Sequence, residues 1–352
     1  MTQAVFAIPG DKDRRTGGFI YEARVLKELN DLGCATSHLQ LPDSFPDPTP
    51  KDMAITLDAL KAVPSDRPII LDGLVFGAID PDGLGQVDAP VIAMVHHPLG
   101  LETGLPAHRA AFLLQNEAAA LRHVNHTIVP SSETARILCS DLGADAEKIT
   151  VAAPGFDRPA VKRRLVDPPL ILSVGLLAPR KGHDVLLAAL AQLDDMPWQA
   201  EIAGKTYDAD YAAALQWQVQ DLGIAERVTF AGELTQDELT KRFNAASLFA
   251  LATRYEGYGM VLSEAMLFGI PVVSCSVGAV PETVGNAAIL VPPEDPGALA
   301  NAMRSILCDP KVAHDMSLSS AEKAALLPRW EDTAMTFASL IARIAADKST
   351  KA

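Results

Sequence analysis

No run of about 18 uninterrupted apolar residues occurs in the chain, which argues against a membrane-spanning helix. Cysteine is scarce. Cys34, Cys139, Cys275 and Cys308 lie far apart, so there is no CxxC metal or redox motif, and the spacing suits reduced thiols in a cytoplasmic protein. Aromatic residues make up 5% of the chain, with 3 Trp, which is poor material for a sugar-stacking hydrolase cleft. Basic residues are in deficit, 30 Lys and Arg against 44 Asp and Glu, for a formal net charge of -14. Both halves are acidic. The chain therefore lacks the basic stripe that a nucleic-acid partner needs and the broad basic face that an anionic bilayer attracts. A small patch at Lys12, Arg14 and Arg15 is the local exception. Low-complexity tracts and internal repeats are missing. The first residues have no basic stretch, and their apolar run ends at Pro9, so they read as a first strand and not a signal peptide.

What is present is the pattern of a two-domain α/β protein. At about 150 residues per domain, 352 residues suggest two domains. Short apolar runs at 5–8, 68–71, 89–95, 127–130 and 149–153 alternate with helical spacing at 19–32 and 107–123. A Pro-, Arg- and Lys-rich break at 157–169 suits a linker. The alternation then restarts, with strands at 170–174, 199–203, 227–230, 248–252, 271–274 and 288–291, helices at 184–193 and 209–222, and a last amphipathic stretch at 330–344. The expectation is two Rossmann-like α/β domains, 1–160 and 168–328, with 329–352 as a terminal helix. In such sheets ligands bind beyond the carboxyl ends of the strands.

Two segments carry chemistry. In 173–184, SVGLLAPRKGHD, an apolar strand ends in a glycine turn, then Arg180, Lys181 and a second glycine before a helix begins. Backbone amides at a helix start and an ammonium group together make a phosphate site, although an exposed basic turn has the same composition. In 254–266, RYEGYGMVLSEAM, a strand again leads through glycines into a helix. Glu264 sits there among Met260, Val261, Leu262, Ala265, Met266 and Leu267, a helix with no evident polar face. A buried carboxylate of that kind needs hydrogen-bond donors, and a ribose diol supplies two. Glu256, in the loop, is placed to accept from hexose hydroxyls. The plainer alternative leaves Glu264 satisfied by backbone amides and Glu256 exposed.

The Glu256-x7-Glu264 spacing within EGYGMVLSEAM, followed by GIPVVSCSVGAVPETVG, resembles the donor-site signature of the family 4 retaining glycosyltransferases, which have the GT-B fold. VGLLAPRKGHDVLLAAL resembles the family's diphosphate loop, and Thr16-Gly17-Gly18 its N-terminal glycine loop. The resemblance spans essentially the whole chain and is strongest over 170–295. It implies two domains facing across a cleft, with the terminal helix crossing back to the first. It implies that Lys181 holds the donor diphosphate, Glu264 the ribose and Glu256 the sugar hydroxyls. The backbone of Gly259, Met260 and Val261 would line the phosphates, and Gly17 and Gly18 would let the backbone approach the sugar phosphate. His96 would contact the transferred sugar, with the adjacent His97 as the alternative. One departure stands out. The family has Arg directly after the strand glycine, where this chain has Leu176, and Arg180 is the expected substitute.

The function so implied is retaining transfer of a hexose from a nucleotide-diphosphate sugar to a saccharide or glycolipid acceptor, with UDP favoured over GDP. It needs no cofactor and no metal, and the DxD-like strings at 11–13 and 208–210 read as a loop and a helix start. The expected location is cytoplasmic, with at most peripheral contact at the inner face of a membrane. A retaining glycosidase also needs two carboxylates but has no use for the cationic glycine loop. A nicotinamide dehydrogenase would need the third glycine that neither Gly257-x-Gly259 nor Gly83-x-Gly85 has. A GT-B sugar-nucleotide epimerase, or a degenerate nucleotide-sugar-binding protein without turnover, stays open at this point.

Overall fold

The computed structural model describes residues 4–349. The chain divides into two compact units. One comprises the residues up to Asp157 and those from Pro328 on, and the other is Arg158–Leu327.

The first unit is built on a six-stranded sheet of β1 (Ala4–Pro9), β2 (Thr36–Leu41), β3 (Ile69–Asp72), β4 (Val91–Met94), β5 (His126–Val129) and β6 (Ile149–Val151). All its pairings are parallel and its order is β2-β1-β3-β4-β5-β6. The chain reverses its direction of travel across the sheet at β1 and β3, so the ends of these two strands form the topological switch point. The central strands are buried along their length, as a parallel sheet covered on both faces requires. β2 is an edge strand of sequence TSHLQL with only its two end residues buried. The helix Trp330–Ser349 belongs to this unit. Its start packs on Gly155, where a Cβ would stand 2.3 Å from Trp330 Cα. Trp330 and Phe337 close on Tyr21 with ring centroids 5.9 and 6.2 Å away.

The second unit repeats the architecture with β7 (Leu170–Val174), β8 (Gln199–Ala203), β9 (Val228–Gly232), β10 (Ala246–Leu251), β11 (Val272–Cys275) and β12 (Ala288–Val291). The order is β12-β11-β10-β7-β8-β9, again all parallel, with its switch point between β7 and β10. Residues 158–169 form no regular element. They are pinned to this unit by Arg163, which donates to the carbonyls of Phe243 and Ala246, and by Arg164 N donating to Asn244 O. Among the described residues, no helix is long and apolar enough to cross a membrane. The basic patch noted in the sequence is internally neutralised, Lys12 by Asp13 at 2.7 Å and Arg14 by Asp43.

Candidate active site

The two segments singled out in the sequence follow β7 and β10, the neighbouring strands at the second unit's switch point. After β7 the chain turns through Gly175 and a short 3-10 turn, Pro179–Lys181, into the helix His183–Leu190. Gly182 joins them in the left-handed region at φ 63°, and a Cβ there would stand 1.9 Å from the carbonyl oxygen of Ala252 at the end of β10. Only glycine lets the two loops meet this closely. The contact is completed by Arg254 N donating to Arg180 O at 2.8 Å.

Lys181 and Arg180 thereby converge on one carboxylate. Lys181 Nζ lies 2.6 Å from Glu256 Oε1 and Arg180 Nη1 3.5 Å from Glu256 Oε2. Thr253 Oγ1 is 3.1 Å from Glu256 Oε1. Glu256 is buried, which opposes its ionisation. Lys181 first, then Arg180, outweigh that cost and hold the carboxyl below its ordinary value. A buried charge survives only with partners of this kind. Arg254 braces the same loops from outside. It binds Asp184 through two nitrogens at 3.0 and 2.8 Å and Glu294 at 2.6 Å. His183 is buried, its ring held neutral by burial with a pKa of about 4, and Nε2 donates to Leu176 O at 3.2 Å. Arg254 and His183 both lie in the segments singled out in the sequence, but nothing in the spacing there signals their bracing and packing roles.

Gly259, at φ 90°, turns the chain into the helix Met260–Leu267. The first amides of that helix, at Met260 and Val261, have no acceptor within it. The helix buries Leu262, Ser263, Ala265 and Met266. Glu264 is half-buried and has no hydrogen-bond or ionic partner among the described residues. Burial alone pushes its carboxyl up to about 7. It is thus a carboxylate with open acceptor capacity one turn into a helix whose first amides are donors, an arrangement suited to a diol beside a phosphate.

In the first unit, Gly17 and Gly18 are the opening residues of the helix Gly17–Asp31 and not part of the preceding loop. Gly18 lies against His96, whose ring atoms would be 3.3 Å from a Cβ. The two histidines differ in their surroundings. His96 Nε2 lies 3.2 Å from Glu22 Oε1, whereas His97 turns to Glu102 at 3.3 Å. Glu22, Asp72 and His96 bring their polar atoms within 4.8 Å of one another. Sequence spacing does not join Glu22 and Asp72 to His96, so the cluster was not legible in the sequence. Asp208 of the DxD-like string caps the helix Ala209–Asp221 by accepting from Tyr211 N at 2.9 Å.

A family model described as glycosyl transferases group 1 matches residues 157–323, and one described as glycosyltransferase family 4 matches residues 78–158. Among curated relatives, a D-inositol 3-phosphate glycosyltransferase of Streptomyces avermitilis is 32% identical over 245 residues, 63% of this chain and 52% of the relative. One from Mycobacterium tuberculosis is 32% identical over 234 residues, 62% of this chain and 48% of the relative. The chain spans about half the length of the curated relatives it matches. Among solved structures, sucrose-phosphate synthase from Thermosynechococcus elongatus superposes with a TM-score of 0.85 at 23% identity, covering 99% of this chain and 100% of that one. Anabaena Alr3699/HepE, solved in complex with UDP and glucose, gives 0.77 at 18% identity, covering 97% and 100%. The fold they share is GT-B.

Proposed function

The chain belongs to the family 4 glycosyltransferases with the GT-B fold, and from that premise we propose that it is a retaining hexosyltransferase. The donor is a nucleotide-diphosphate sugar, UDP-linked in preference to GDP-linked, and the acceptor is a saccharide or glycolipid. The observation that carries this reading is the convergence of Lys181 and Arg180 on buried Glu256, in the loop before a helix that bears the unpartnered Glu264. The Anabaena structure with UDP and glucose lends support to a UDP-sugar donor.

Each group has a role in that reading. Lys181, Arg180 and the amides of Gly259, Met260 and Val261 hold the diphosphate. As the nucleoside diphosphate departs, these fixed positive groups stabilise the charge that develops on it, which lets the reaction run without a metal. Glu264 accepts from the ribose hydroxyls and Glu256 from those of the sugar. The family resemblance assigns Gly17, Gly18 and His96 to the transferred sugar as well. Attack from the face the leaving group vacates, with the departing phosphate taking the acceptor's proton, gives retention. Leu176 stands where the family has Arg, and Arg180, beside Lys181 on the same carboxylate, supports turnover over mere nucleotide binding.

The test is a thermal-shift panel of UDP, GDP, ADP and their sugar conjugates, without added metal and with excess EDTA. A ligand at about 100 times its dissociation constant adds about 2.7 kcal/mol, a clear rise in Tm. One base should shift the midpoint, one sugar should deepen the shift, and Lys181→Ala should lose it. Acceptor-dependent release of the nucleotide should survive EDTA. No shift with any nucleotide would sink the reading, and strong inhibition by EDTA would sink its metal-free mechanism.

A further inference from the structure

Two of the first unit's buried acids lie beside His96 and are left without a task by the proposed function. Glu22, 1% exposed, lies on the helix Gly17–Asp31, one turn beyond Gly18, and Asp72, 2% exposed, ends β3 at the switch point. His96 follows β4. Three elements thus bring three titratable side chains to one place, with Glu22 Oε1 3.2 Å from His96 Nε2. Asp72 Oδ1 is committed to the amides of Leu74 at 2.9 Å and Val75 at 3.3 Å. Glu22 Oε2 is buried and accepts no hydrogen bond. Tyr21 meets the imidazole edge-on at 5.7 Å, and its hydroxyl donates to Ala152 O at 2.5 Å. Among the described residues, the charges that act on Glu22, Asp72 and His96 are those of the cluster itself.

Two carboxylates this deeply buried, with no cation beside them, cannot both ionise at modest cost, so they retain a proton between them. We propose that Glu22 and Asp72 form a one-proton carboxyl pair in which Glu22 accepts from His96 Nε2–H and fixes the tautomer and orientation of the imidazole, making Glu22 a positioning residue for transfer. The proposal rests on the reading that His96 meets the transferred sugar. The electrostatics agree with the geometry. Burial pushes Glu22 up to about 7, Asp72 is raised well above its usual range by burial and by Glu22, and burial keeps His96 neutral. Such a pair titrates as a unit. Glu22 releases its proton near pH 7 while Asp72, raised by the charge on Glu22, keeps its own, so the cluster is uncharged below about pH 7 and carries one negative charge above it. The imidazole senses the change although its own protonation lies lower.

The experiment is a histidine-selective 15N NMR titration of the full-length protein between about pH 5 and 9, with His96→Gln assigning the resonance. Wild type should show the Nε2–H tautomer and an inflection near pH 7 at His96. Glu22→Gln should abolish that inflection, and Asp72→Asn should move it upward, because the bond from Asp72 favours the ionised Glu22. In a transfer assay Glu22→Gln should lower kcat about tenfold, the worth of one charge-assisted hydrogen bond, with a smaller change in donor KM and no neutral limb in the kcat–pH profile. An inflection that persists in Glu22→Gln, or that stays in place in Asp72→Asn, overturns the pair. So does a stoichiometric divalent ion on the purified protein that Glu22→Gln abolishes. A kcat loss with the pH profile unchanged in shape overturns the positioning role. The NMR arm needs no donor. An intact titration with no transfer from any nucleotide sugar would refute the functional reading and leave the pair standing.

Discussion

Glu256 and Glu264 stand eight residues apart in opposite electrostatic situations. Glu256 is paired with Lys181 and Arg180 and titrates low, so its contribution to stability is present above the unfolded-state value and lost as pH falls through the folded one. Glu264 is unpartnered and titrates at about 7 against an ordinary 4.5. Its contribution is full below 4.5 and is lost as pH rises through about 7. Replacing Glu264 by Gln removes that penalty. The ligand-free variant should melt above wild type at pH 8, match it at pH 5, and bind nucleotide about tenfold or more weakly. Paired melting curves and a titration check this, and an unchanged Tm difference between the two pH values would refute it. Both glutamates were legible in the sequence, because one motif contains them and the apolar run around Glu264 betrays its burial. Glu22 was not. It sits between Tyr21 and Ala23 in an ordinary amphipathic helix, and its partners are contributed by strands whose adjacency only the sheet order establishes.

At the scale of elements, the donor side is two strand-to-helix turns pressed together. Gly182 is the point of closest approach and Arg254 the brace. Gly182→Ala demands a left-handed Cβ where a carbonyl already stands at 1.9 Å, so the loops must separate. We expect a loss of at least about 2 kcal/mol of stability, from strain and overpacking together, and weakened diphosphate binding. Urea unfolding and nucleotide titration measure the two effects, and a variant as stable and as tight as wild type would contradict the close approach. The elements themselves were largely readable. β7, β8 and β12 begin and end where the sequence places them, and β7, buried over its first four residues, is mostly apolar as a strand covered on both faces requires. β2 escaped notice for the converse reason. An edge strand with four of its six residues at least partly exposed carries no apolar run, and TSHLQL reads as loop. The family resemblance placed the N-terminal glycines in a loop, whereas here they open a helix, with Gly18 against His96.

For the whole molecule, the division into units does not follow the order of the chain. The last helix completes the first unit's core, so residues more than 300 positions from Tyr21 are part of the same packing. The terminal amphipathic stretch was evident in the sequence, but its partner was supplied only by the family resemblance, since amphipathicity says that a face is buried and not against what. This arrangement makes a prediction about cooperativity. Phe337 is fully buried, and Phe337→Ala should remove about 3–5 kcal/mol from the unit that contains it. Hydrogen exchange read by mass spectrometry should then show faster exchange in β1, β3, the helix Gly17–Asp31 and the helix Trp330–Ser349. Protection of β7, β8 and β10 should stay at wild-type levels, because Arg158–Leu327 has a core of its own, built from residues such as Leu187, Trp198 and Leu248. Equal loss of protection across both sheets would mean that the chain unfolds as one cooperative body, and that the boundaries at Asp157 and Leu327 divide contacts without dividing stability.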